Sequence, residues 1–232
     1  MNESTWARLH LELRITGIAA PVTALAAPLA GVVLVTTLSA TGAGTHNLDQ
    51  AAGVVLAGFA PLGAAIAASS VVGRDPGAEL VMTATVYRRV LFLRAGLVAA
   101  AAAVATLLDA VAFHAMGAWP EGQGTGGYVL VWAPPMIWLV ALAVLIAVAL
   151  RSSAAAGGLV GGVWLAQILM DRAIRTNSVL RAQSMFMGVA DRVPAQEWHV
   201  NRIALPAVGV AAAVVAGVLL RRPERFLGRD AA

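Results

Sequence analysis

Few side chains in this 232-residue sequence can do covalent chemistry. There is no cysteine, which excludes thiol nucleophiles, thiolate metal sites and disulfides. Lysine is absent as well, so all sixteen basic residues are arginine. A phosphate-binding P-loop needs its Gly-Lys-Ser/Thr and Schiff-base chemistry needs an amine, so neither is open to this chain. If it uses ATP, another chain must bind it. The histidines are His10, His46, His114 and His199, and no two are spaced as a metal pair. No Gly-x-Ser-x-Gly elbow and no His-Glu-x-x-His helix occurs. An enzyme working on its own is therefore not expected, and no metal or bound cofactor is expected on this chain.

What remains is charge placed among apolar residues. The chain is 59% hydrophobic and 12% charged, with a mean hydropathy of +0.80. A soluble domain carries about 25% charge. Apolar runs near the ~20-residue spanning length recur along the chain, so the expectation is an all-α polytopic protein of a cell membrane. The net charge of +4 is no nucleic-acid signal, because the arginines cluster at the ends of apolar segments as topology determinants do.

The elements follow in order. Residues 1–14 read as an interfacial helix, with Trp6, Leu9 and Leu13 at helical spacing and Arg8 and Glu12 on another face. Glu3 and Glu12 argue against a cleavable leader. Six spans are predicted over residues 15–38, 51–72, 90–115, 128–150, 154–170 and 203–220. Residues 41–50 form an outer loop, residues 116–127 another, and residues 221–232 a basic tail. Arg8, Arg14, Arg74, Arg88, Arg89, Arg94, Arg151, Arg221, Arg222, Arg225 and Arg229 fall on one side. The other side holds Arg172, Arg175, Arg181, Arg192 and Arg202, all in one segment. That bias puts both termini in the cytoplasm.

Residues 73–89 are a polar elbow between spans two and three. Asp75-Pro76-Gly77 makes a turn. A short helix along the membrane surface follows, with Leu80, Val81 and Ala84 on one side and Glu79 and Arg88 on the other. Residues 171–202 are too apolar for a solvated linker, given Val179, Leu180, Met185, Phe186, Met187 and Val189. Gly188 and Pro194 divide them into two short helices that dip back into the outer surface, or lie on it as a lid.

This layout resembles the membrane subunits of ABC-2 type transporters, also called type V ABC exporters. The family's elbow reads as an acidic residue, a glycine, a run of leucines, Thr-Pro, a basic residue and a terminal lysine. Here Asp75 or Glu79, Gly77, Leu80-Val81-Met82, Arg88 or Arg89, and Arg94 stand at those places, with Thr85 where proline is usual. The resemblance implies a permease that hydrolyses nothing itself. Two copies of a cytoplasmic ABC ATPase would bind ATP and Mg and push on the coupling residues Gly77, Glu79, Leu80, Arg88, Arg89 and Arg151. A second permease copy or related chain would complete the path. The alternative is a non-transporting six-span scaffold or assembly factor.

Three further groups stand out. Gly157-Gly158 and Gly161-Gly162 make overlapping small-xxx-small pairs on the fifth span, suited to packing within the chain or to a dimer seam. Trp164, Gln167 and Met170 continue down that helix and, with Met185 and Phe186, either line a substrate path or simply pack. Asp109 lies fifteen positions beyond Arg94, about 22 Å along a helix. It is then a cavity or proton site, or a structural partner for Arg172 or Arg175. The apolar path residues suit a hydrophobic or amphipathic cargo, and export is the expected direction.

Overall fold

The computed structural model describes residues 19–73, 87–119, 128–189 and 193–221. The expected interfacial helix (1–14), most of the elbow (74–86) and the tail arginines Arg222, Arg225 and Arg229 lie outside the described residues. Every regular element among the described residues is helical. Helix α1 spans Ala19–Ala40, and α2 (Thr45–Val54) runs through a π turn, Val55–Phe59, into α3 (Ala60–Gly73). Then come α4 (Tyr87–Ala115), α5 (Tyr128–Leu150) and α6 (Ser153–Leu169). Two short helices, α7 (Asp171–Thr176) and α8 (Ser178–Ala182), precede α9 (Ala195–Leu219).

Among the described residues, five helices are long and apolar enough to cross a membrane: Val22–Ala40, Thr45–Val72, Arg89–Ala115, Val129–Leu150 and Ala195–Leu219. The expected fifth span, α6, has 17 residues and is shorter than these. It stands at the lower limit for a crossing, about 17 residues.

The continuous rod from Thr45 to Gly73 is the centre of the bundle. It is the most enclosed of the long helices because α1, α4, α5 and α6 all pack on α3. Small residues allow this close approach. A Cβ added at Gly63 would stand 2.6 Å from the Ala27 Cβ, and one at Gly209 of α9 would stand 3.0 Å from the Trp138 Cα. Helices α6 and α9 both pack on α5 and make little direct contact with each other.

The two ends of the bundle are closed by different apolar clusters. At one end Ala68, Leu91, Ala95, Val144, Val148, Ala216 and Leu220 form one cluster, which gathers the end of α3, the start of α4 and the ends of α5 and α9. Arg89, Arg94, Arg151 and Arg221 belong to this end by sequence. Toward the opposite end Val35, Leu48, Phe113, Ala118, Val131 and Trp132 are packed in a second cluster, beside Asp49 and Asp109 in the sequence.

Several boundaries differ from expectation, each for a physical reason. Tyr128–Leu150 matches its predicted span at both ends. The loop expected over 41–50 is only residues 41–44, because Thr45 already starts α2 and buries Leu48 and Asp49. Arg88 and Arg89 form the first turn of α4 rather than the end of a separate elbow helix. The short helices are α7 and α8, divided at Asn177, whose side chain accepts from Val179 N and Leu180 N. Gly188 lies in a turn with φ 82°, left-handed backbone that suits glycine. The last span begins at Ala195, after Pro194, and not at Ile203. Proline ends the preceding segment and pre-sets the helix entry.

Candidate functional site

Residues 183–189, which follow α8, return into the bundle. Ser184, Met185 and Met187 are buried, and Met185 is fully enclosed in a cluster with Ala65, Trp138, Leu139, Ala143, Val160 and Leu205. Leu139 is the midpoint of α5, so this turn reaches the middle of the helix it packs on.

Irregular backbone so placed must find hydrogen-bond partners, since each unsatisfied group costs about 1–3 kcal/mol. Three side chains on two helices supply them. Gln167 of α6 donates from Nε2 to Gln183 O (3.1 Å) and accepts at Oε1 from Met185 N (2.8 Å). Asn201 of α9 donates from Nδ2 to Arg181 O (3.2 Å), Ala182 O (3.0 Å) and Ser184 O (2.9 Å). Two of these are last-turn carbonyls of α8, of which Arg181 O also accepts from Ser184 N at 3.1 Å. Arg202 donates from Nη2 to Met187 O (3.0 Å), with longer contacts of 3.4 and 3.5 Å to Met185 O.

Arg202 is 3% exposed and stacks over Trp198, 5.4 Å from guanidinium carbon to ring centroid. Its charge is met by carbonyl dipoles and an aromatic face, and its Nε has no partner among the described residues. The nearby carboxylate of Glu197 pairs instead with Arg181, at 3.3 Å, where both side chains are part-exposed and the pair is worth about 0–1 kcal/mol.

The helical rod is shaped to receive the turn. Glycines stand where its side chains press closest: a Cβ at Gly58 would be 2.5 Å from Phe186, and one at Gly53 would be 2.8 Å from Val189. Gly58 lies in the π turn, a wide turn that recurs at functional positions in helices. Phe59 of that turn meets Trp164 at 5.1 Å between ring centroids, and Trp164 meets Phe186 at 6.4 Å.

Trp164, Gln167, Met185 and Phe186 are thus brought together in one packed group. Met170 is not among them, being 57% exposed beyond the end of α6. Asp109 is 6% exposed on α4, a helix that packs on α1, α3 and α5, and its Oδ2 has no hydrogen-bond partner among the described residues. Arg172 is exposed on α7, which packs on α6 and α8, and the Arg175 side chain lies outside the described set.

Of the coupling residues, Gly77, Glu79 and Leu80 and the Arg88 side chain lie outside the described residues. Arg89 is exposed at the start of α4. Arg151 is exposed between α5 and α6 in left-handed backbone, φ 55°, and Ser152 then caps α6 by accepting from Ala155 N at 3.1 Å. At Gly157, Gly158, Gly161 and Gly162 an added Cβ would meet nothing within 4 Å, so no other described helix approaches that face. Among the described residues no group of three His, Asp or Glu could hold a metal ion.

Asn201 and Arg202 are not among the site residues expected from sequence. The signal is present as a helix start at Pro194 with Trp198, Asn201, Arg202 and Leu205 recurring on one face. Comparison with protein-family models, curated proteins and solved structures finds no match to this chain.

Proposed function

We propose that this chain is the membrane-spanning permease subunit of an ABC-2 type ATP-driven transporter. The observation that carries the reading is the turn at residues 183–189, seated in the bundle between α6 and α9 by Gln167, Asn201 and Arg202. A membrane protein tolerates such backbone where it is buried in protein or borders a cavity. In this reading α6 is the fifth of six crossings and the turn closes the outer side of a substrate path.

The end that carries Arg89, Arg151 and Arg221 faces the cytoplasm, with both termini on that side. There Arg88, Arg89 and Arg151, with Gly77, Glu79 and Leu80 of the elbow, meet a cytoplasmic ABC ATPase. That partner holds ATP and Mg, and its closure moves the helices as rigid bodies. The open glycine face of α6 meets a second permease copy. The cargo is a hydrophobic or amphipathic molecule, and the direction is export.

The experiment is purification from the native membrane, with assay for a bound P-loop ATPase whose hydrolysis rises with candidate cargo. A stable complex with stimulated hydrolysis is expected. A chain that purifies alone, with no ATPase association, instead favours the six-span scaffold.

A further inference from the structure

We propose that residues 183–187 are an internal stand-in for a ligand, and that the groove they fill between α6 and α9 is a binding site for an anionic amphiphile. The inference rests on the transporter reading above and names its outer site. Helices α6 and α9 flank α5 and make little direct contact with each other, and side chains from both hold the turn between them. Every described polar side chain that holds the turn does so through its backbone. Asn201 and Arg202 donate only to carbonyl oxygens, and Gln167 pairs with one carbonyl and one amide. The guanidinium of Arg202 and the amide nitrogens of Asn201 and Gln167, which now donate to carbonyl oxygens, would equally donate to the oxygens of a phosphate or carboxylate headgroup.

Charge selects an anion. Arg202 is buried and, among the described residues, makes no ion pair and leaves Nε without a partner. A buried guanidinium is costly unless a counter-charge or full hydrogen bonding compensates it. Carbonyl oxygens at 3.0, 3.4 and 3.5 Å do this only in part. An oxyanion would take the fork of donors more strongly than neutral carbonyls do. The walls select a tail. The Met185 side chain belongs to one apolar cluster with Trp138, Leu139, Val160 and Leu205. An alkyl chain lying there would replace Met185 as apolar cover. Ligand and turn therefore compete for one set of donors, and the ligand's arrival frees the turn.

The absence of native cysteine makes the competition measurable with one substitution, Ser184→Cys. Position 184 is buried, and a separate Ser178→Cys variant, at an exposed position, serves as the accessible reference. The rate of reaction with a membrane-impermeant maleimide is measured on the full chain in dodecyl maltoside. Dodecyl phosphate, dodecyltrimethylammonium and extra dodecyl maltoside are added in separate samples. The expected result is protection of the thiol at position 184 relative to that at position 178, relieved several-fold by dodecyl phosphate and not by the other two.

Equal relief by all three would mean unspecific loosening and would overturn the proposal. So would no relief by dodecyl phosphate, or a Ser184→Cys variant as reactive as Ser178→Cys from the start. Phosphatidylcholine vesicles with and without phosphatidylglycerol then assign the source: relief by phosphatidylglycerol identifies a bilayer lipid, and relief only by added dodecyl phosphate a free amphiphile. A Ser184→Cys chain that binds its ATPase but stays protected throughout loses this inference alone. A chain that answers to dodecyl phosphate but binds no ATPase loses the transporter reading and keeps the site.

Discussion

Gln167 and Met185 are eighteen residues apart and are joined by a 2.8 Å hydrogen bond from the Met185 amide to the Gln167 Oε1. With the return bond from Gln167 Nε2 to Gln183 O, one carboxamide satisfies both a donor and an acceptor of a buried turn. Truncation leaves two backbone groups unpaired in an apolar cluster. Gln167→Ala should lower stability by about 2–6 kcal/mol, from ~1–3 kcal/mol per orphaned group. Thermal unfolding followed by helical circular dichroism checks this. Met170→Ala, on the exposed residue three positions on, should change stability by less than about 0.5 kcal/mol.

The fit between the rod and the turn predicts a compensating pair. Gly58→Ala places a methyl 2.5 Å from Phe186 and should cost about 1–3 kcal/mol through overpacking. Phe186→Leu removes the obstructing ring and should recover part of that loss. A double-mutant cycle reads the coupling as a non-additive term, and strict additivity would mean that the two residues do not meet.

The glycine face of α6 behaves differently. Gly158→Leu with Gly162→Leu meets open space, so no steric loss is expected within the isolated chain. Replacing helical glycine should slightly raise helix stability, by up to about 1 kcal/mol per site. The proposed second copy would be driven off. Mass measurement of the detergent-solubilised complex should show two permeases for the native chain and one for the variant, both melting at comparable temperature.

Arg151 separates strain from charge. Its left-handed backbone costs a non-glycine residue about 1–2 kcal/mol, partly offset by the greater unfolded-state freedom of glycine. Arg151→Gly should therefore hold stability or raise it by up to about 1 kcal/mol. The same change removes a cation from the proposed ATPase contact, so substrate-stimulated hydrolysis by the assembled complex should fall. A variant that is stable yet impaired distinguishes coupling from folding.

Hydropathy made the long helices legible, and α5 most cleanly, because nothing charged interrupts it between residues 129 and 150. It misplaced the start of α9, since Asn201 and Arg202 read as loop residues. Their polarity is matched by backbone carbonyls that are 15 to 20 positions away in sequence, a relationship no local pattern carries. The same cause hid the start of α2, where Asp49 is buried inside a helix rather than solvated in a turn. The apolar character of Met185, Phe186, Met187 and Val189 did signal a buried segment. What it could not show was that Gly53 and Gly58, on a helix far back in the chain, would be the surfaces beneath Val189 and Phe186.

If the chain is a permease, the end of the bundle that carries Arg151 faces the cytoplasm and is covered there by an ATPase. Arg151→Cys, which introduces the sole thiol in the chain, tests it directly with an impermeant maleimide. Labelling is expected in inverted vesicles stripped of the ATPase, with protection when the ATPase is restored and no labelling of intact cells. Labelling of intact cells, or full reactivity with the ATPase bound, would contradict it.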